Sequence, residues 1–93
     1  MIIELETSLR KTDYKIIDCN NNLITSGTIE NLNSVSRFEG EKMMNLLFEL
    51  LDLKYKYNPE IVVFSVLGKR LRNTEKVLTL IHVTFFDCLC VEV

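Results

Sequence analysis

Ninety-three residues make one small domain, and a chain this short leaves so much surface in water that association with a partner is expected. With 47% hydrophobic and 26% charged residues, one Pro and three Gly, the composition excludes a disordered or fibrous chain. A formal net charge of −2 excludes a general electrostatic grip on nucleic acid, leaving room only for a local basic patch.

The three cysteines, Cys19, Cys88 and Cys90, are odd in number and show no Cys-x-x-Cys spacing, and a single His completes no familiar zinc tetrad with them. They read as buried free thiols of a reducing compartment. The opening Met1-Ile2-Ile3-Glu4-Leu5-Glu6 has neither a basic start nor a long apolar stretch, and no apolar run approaches the roughly 18 residues of a membrane span. The expectation is a soluble cytoplasmic protein with no membrane partner.

In chain order, Ile2 to Leu5 is a brief apolar-rich strand, Tyr14 to Cys19 a second and Leu23 to Ile29 a third. Ser8 to Asp13 and the triplet Asn20-Asn21-Asn22 separate them with turn chemistry, and Asn tolerates positive φ, so this third of the chain predicts an antiparallel meander. Ser36-x-x-Glu39 is a capping box at the mouth of an amphipathic helix over residues 37–57. Its apolar positions Met43, Leu46, Leu47, Leu50, Leu51, Leu53 and Tyr57 recur at three- and four-residue spacing, and it must stop before Pro59. Met44 and Phe48 widen the apolar band beyond one sheet-facing stripe, which points to a homodimer through Met44, Phe48 and Leu51.

Ile61 to Val66 is an apolar run without alternation, and it predicts a central strand over residues 60–66 covered on both faces by helices. Leu50 and Val63 are both expected in the core. Asn73 or Thr74 is suited to cap a second helix, over residues 73–85, and Leu89 to Val93 suits a short parallel strand. The stretch His82 to Phe86 is rich in β-branched and aromatic residues, and the helix–strand border there stays open. No linker or repeat divides the chain, so residues 1–93 read as one domain.

The order β-β-β-α-β-α-β is that of the ribonuclease H-like fold, an α/β architecture with helices packed on a mixed five-stranded sheet. Ser8-Leu9-Arg10-x-Thr12-x-Tyr14, followed by Gly27-Thr28-Ile29, resembles the opening of the RuvC-type Holliday junction resolvases, and Pro59-Glu60-Ile61-Val62-Val63-Phe64-Ser65 resembles their central strand. The resemblance covers the whole chain but only about two thirds of a full resolvase. It implies a cluster of four carboxylates holding two divalent cations for phosphodiester cleavage. Glu6 falls where the first Asp of that cluster belongs, one methylene longer, and Ser65 falls where a Glu belongs. Glu4, Asp13, Asp18 and Asp87 sit at no matching position and read as solvated charges.

Other chemistries fare no better. Ser65 and His82 invite a nucleophile–base pair, but Ser65-Val66-Leu67-Gly68 lacks the Gly-x-Ser-x-Gly elbow. Gly68-Lys69-Arg70 is not a phosphate loop. The expectation is therefore a non-catalytic RuvC-like domain acting as an interaction or assembly module, with no cofactor. Two alternatives stand beside it. One is a nucleic-acid-binding pseudonuclease using Arg10, Lys11, Lys69, Arg70 and Arg72, and the other a Mg²⁺-dependent nuclease completed by a partner, with Glu6 as its weak metal candidate.

Overall fold

The computed structural model describes residues 1–8, 10–30, 39–66 and 71–93. They form β1 (Ile2–Thr7), β2 (Lys11–Ile17), β3 (Leu23–Glu30), α1 (Glu39–Tyr57), β4 (Ile61–Val66), α2 (Leu71–Thr84) and β5 (Leu89–Glu92). The five strands join in one sheet, in the order β3-β2-β1-β4-β5. The first three make the expected antiparallel meander, while β4 and β5 run parallel to β1 and to each other, as helical crossovers require. The result is the mixed α/β sheet expected from the element order.

Both helices lie on one face of that sheet. The buried strand side chains Ile3, Leu5, Ile16, Val62 and Phe64 share one parity of the register, and they form a single core with Leu46, Leu50 and Leu53 of α1 and Val77, Leu80 and Ile81 of α2. Among the described residues, helices thus cover the central strand on one face only. Val62 and Phe64 are buried, whereas their neighbours Ile61, Val63 and Ser65 point to the opposite, open face and are only half-buried. Leu50 is in the core as expected and Val63 is not. An unalternating sequence could not separate these two halves of β4, because the open face is itself aliphatic there.

Several boundaries differ from expectation. The first strand runs on to Thr7 and the second already begins at Lys11, so both reach further than their composition predicts. Thr7 and Thr12 pair their buried hydroxyls on the helix-covered face, and Ser8 N–H donates to the Lys11 carbonyl at 2.8 Å. These bonds let polar residues continue a ladder that their composition does not announce. The second strand ends at Ile17, because the Asp18 carboxylate accepts from the Asn20 and Asn22 backbone amides, both at 2.9 Å, and draws residues 18–22 into a loop. Asn21 takes φ 66° there, and the same amides, Asn22 first, hold the exposed Asp18 carboxyl below its ordinary range.

The helix α1 starts at Glu39, and the Ser36 cap expected for it lies outside the described residues. It ends where Asn58, at φ 46°, donates its N–H to the Lys54 carbonyl at 2.8 Å, a left-handed helix stop just before Pro59. The helix α2 begins at Leu71, so Asn73 and Thr74, the caps expected for it, fall inside its first turn. It runs through His82 and closes at Thr84, whose hydroxyl donates back to the Leu80 carbonyl at 2.7 Å.

A buried lysine ties the ends of the two helices together. The Lys54 ammonium donates to the Thr84 carbonyl at 3.0 Å, meets the Asp87 carboxylate at 2.9 Å and sits 4.3 Å from the centre of the Phe86 ring. Its hydrogen bond holds the Asp87 carboxyl below the usual carboxylate range. A carboxyl depressed on folding adds stability that is present above its unfolded value, about 3.9, and is lost as pH falls through the folded value. Asp87→Asn is therefore expected to lower the urea midpoint at pH 7, with the gap to wild type shrinking by pH 3. An undiminished gap at pH 3 would show that the ion pair is not its source.

The cysteines divide against expectation. Cys19 is exposed in the 18–22 loop, while Cys88 and Cys90 are half-buried. The Cys88 thiol lies 3.1 Å from the Pro59 carbonyl, and burial together with the neighbouring Asp87 pushes its pKa up to about 11. That leaves it a poor nucleophile near neutral pH.

Candidate functional site on the open face of the sheet

The bare face of the sheet can be read row by row from the register. One row crosses Thr28, Asp13, Glu6 and Ser65. The next crosses Ser26, Lys15, Glu4, Val63 and Val91, and a third crosses Leu23, Ile17, Ile2, Ile61 and Leu89. The first two rows, Val91 excepted, line an open cleft of about 570 Å³. Polar groups are therefore gathered toward the C-terminal end of β1, and the other end of the face is entirely aliphatic.

Glu6 and Ser65, the two positions singled out in the sequence, stand directly opposite each other across the parallel β1–β4 pair. Asp13 stands opposite Glu6 on its other side. The sequence reading missed this neighbour, because it placed Asp13 in a turn. The signal that could have found it is the Thr-x-x-x-x-Thr spacing of Thr7 and Thr12, which closes the hairpin one residue beyond the Glu6–Asp13 pair. The Asp13 carboxylate is already engaged, accepting from the Thr28 hydroxyl at 2.7 Å and facing the Lys11 ammonium at 4.0 Å.

A two-cation site of the kind the resemblance implies asks for several hard, anionic oxygen ligands around each ion. The row offers Glu6, an Asp13 held by its own partners and a neutral Ser65 hydroxyl, and among the described residues no group of three His, Cys, Asp or Glu side chains could hold a metal ion. The residues present do not fit such a pair of ions. Ser65 and His82 do not form a nucleophile–base pair either. The His82 ring meets Phe64 edge-on, with centroids 5.7 Å apart, on the helix-covered side of the sheet, while Ser65 faces the open side.

Of the basic residues proposed to touch nucleic acid, Arg10 and Lys11 are exposed at the β1–β2 turn. Arg72 belongs to the first turn of α2, and Lys69 and Arg70 lie outside the described residues. The dimer candidates are on α1, away from the open face. Met44 and Phe48 are exposed, Leu51 is half-buried, and Tyr55, which the sequence reading passed over, continues their line with 77% of its surface exposed. Among the described residues no helix is long and apolar enough to cross a membrane.

No family model matches this sequence and no curated protein does. Solved structures do resemble the fold. A RuvC structure from Thermus thermophilus superposes with a TM-score of 0.82 at 8% identity, covering 99% of this chain and 62% of that one. Thermus thermophilus RuvC in complex with a Holliday junction substrate gives 0.77 at 11% identity, covering 100% and 64%. The fowlpox virus resolvase, in complex with its substrate Holliday junction DNA, gives 0.70 at 15% identity, covering 100% and 60%. The chain thus has the RuvC-like form of the ribonuclease H-like fold. It spans less than two thirds of the length of each of these resolvases, and identities this low speak for the fold alone.

Proposed function

We propose that this chain is a non-catalytic RuvC-like domain that works as an interaction and assembly module. The observation that carries the reading is the pairing of Glu6 with Ser65 in the row where the resolvase resemblance calls for carboxylates. A hydroxyl brings no charge to offset a divalent cation, and the second acid beside Glu6, Asp13, is bonded to Thr28. Assembly runs through the exposed Met44, Phe48 and Tyr55 and the half-buried Leu51 on α1, spaced four, three and four residues apart along the chain as in a helix–helix seam.

The test is the purified chain with branched and single-stranded DNA in Mg²⁺ and in Mn²⁺, beside Glu6→Gln and Ser65→Glu variants. The expected result is no cleavage by the unaltered protein. Robust cleavage that disappears in Glu6→Gln would overturn the non-catalytic reading.

A second reading, binding of nucleic acid without cleavage, draws support from the exposed Arg10 and Lys11 at the β1–β2 turn and from the two resolvases solved with Holliday junction DNA. Here the measurement is salt dependence. Phosphate contacts make log affinity fall with log salt by about 0.9 per phosphate neutralised on duplex DNA, and replacing Arg10 and Lys11 by Ala should flatten the slope by roughly two. A slope unchanged in that double variant would remove these residues from the interface.

A further inference from the structure

The bare face of the sheet is built to be covered. The strands β1, β4 and β5 run parallel, and sheets made only of parallel strands occur almost only with both faces covered. Among the described residues α1 and α2 cover one face, and the other shows the row Leu23, Ile17, Ile2, Ile61 and Leu89 together with Val63 and Val91. Leu23 and Leu89 are 59% and 62% exposed, and the remaining residues of that row are half-buried. Such a contiguous aliphatic surface marks an interaction site.

Charge selects the occupant. The carboxylates of this face, Glu4 and Glu6, lie on β1, the middle strand of the five, and both are exposed. Asp13 adds a third acid, and Lys15 beside Glu4 and Lys11 beside Asp13 stand on the β2 side, away from the aliphatic half formed by β4 and β5. A second copy docking face to face about a two-fold axis near β1 would bring Glu4 and Glu6 up against their own counterparts, a like-charge contact that disfavours self-pairing. We infer that this face binds an amphipathic helix of a partner polypeptide, its aliphatic stripe lying over β4 and β5 and a Lys- or Arg-rich flank over Glu4 and Glu6. A helix of about 14 residues is roughly 21 Å long, close to the length of the six-residue strand β4 that it would follow. The inference does not depend on pairing through α1, which lies on the other side of the sheet.

The probe is a synthetic helical peptide with a Leu stripe flanked on one side by Lys, compared with the same peptide carrying Glu for every Lys, each titrated into the full chain and followed by fluorescence anisotropy at physiological salt. The Lys-flanked peptide is expected to bind, and the Glu-flanked one to bind at least about tenfold more weakly. Ile61→Asp and Val63→Asp should weaken the Lys-flanked peptide by a similar factor, and Phe48→Glu on the other side should leave it unchanged. The double variant Glu4→Lys with Glu6→Lys alters only exposed side chains, so it stays informative if the Asp variants fold poorly, and it should reverse the order of the two peptides. Absence of binding, equal binding of both peptides, or an order that survives the charge swap would overturn the proposal. So would a doubling of mass in solution that Val63→Asp abolishes and Phe48→Glu does not, which would make a second copy the occupant.

Discussion

Phe64→Ala is expected to cost about 3–5 kcal/mol, while Val63→Ala, one residue earlier on the same strand, should cost well under half of that. Phe64 is 1% exposed, at the centre of the core between β1 and the two helices, and its loss leaves a cavity that close-packed neighbours cannot fill. Val63 is half-buried on the open face, where water or a partner takes up the vacated space. Small domains hold only about 5–15 kcal/mol in total, so Phe64→Ala removes a large share of it and Val63→Ala does not. Urea denaturation of the two variants decides the matter. Equal losses would mean that both faces of β4 are packed in the isolated chain, and the one-sided sheet would be wrong.

That contrast also shows why the sequence describes part of this fold well and part of it poorly. The helix α1 was legible because Leu46, Leu50 and Leu53 repeat at helical spacing and Asn58-Pro59 ends the run by backbone sterics alone. The hairpin loop after β2 was legible in kind but not in length. Asn21 supplies the positive φ that the triplet promised, whereas the Asp18 carboxylate, which enlarges the loop by gathering two amides, looks in the sequence like any solvated acid. The faces of β4 were not legible. Valine and isoleucine serve equally in a core and on a surface awaiting a partner, so composition cannot say which face a strand has left bare.

The candidate site has the same division. The resemblance to the resolvases was what marked Glu6 and Ser65, and the parallel β1–β4 pair sets the two side by side. Asp13 was invisible because its position depends on register, and the β1–β2 ladder runs on through polar residues to the buried Thr7–Thr12 pair. Reading Ser8 to Asp13 as a turn moved Asp13 off the sheet and away from Glu6. The Lys54 link to Thr84 and Asp87 was equally hidden, since it joins residues 30 and 33 positions apart through tertiary packing.

Phe48→Glu should convert the protein from about two chain masses to one in light scattering at high micromolar concentration. Met44, Phe48, Leu51 and Tyr55 form a line along α1 on the side turned away from the core, and Phe48 stands near its middle with 59% of its surface exposed. A central aromatic in such a seam is the kind of residue that dominates an interface, and truncating one costs about 2 kcal/mol or more, a weakening of at least 30-fold or so. A carboxylate in its place also has to be desolvated against apolar neighbours, which adds to the loss. Lys15→Ala, on the far side of the sheet, serves as the control and should leave the mass unchanged. A wild-type chain that reads one mass at high micromolar concentration would end the α1 seam. Dimers that survive Phe48→Glu but vanish in Val63→Asp would place the contact on the open sheet instead, against both the seam and the like-charge argument that reserves that face for a basic partner.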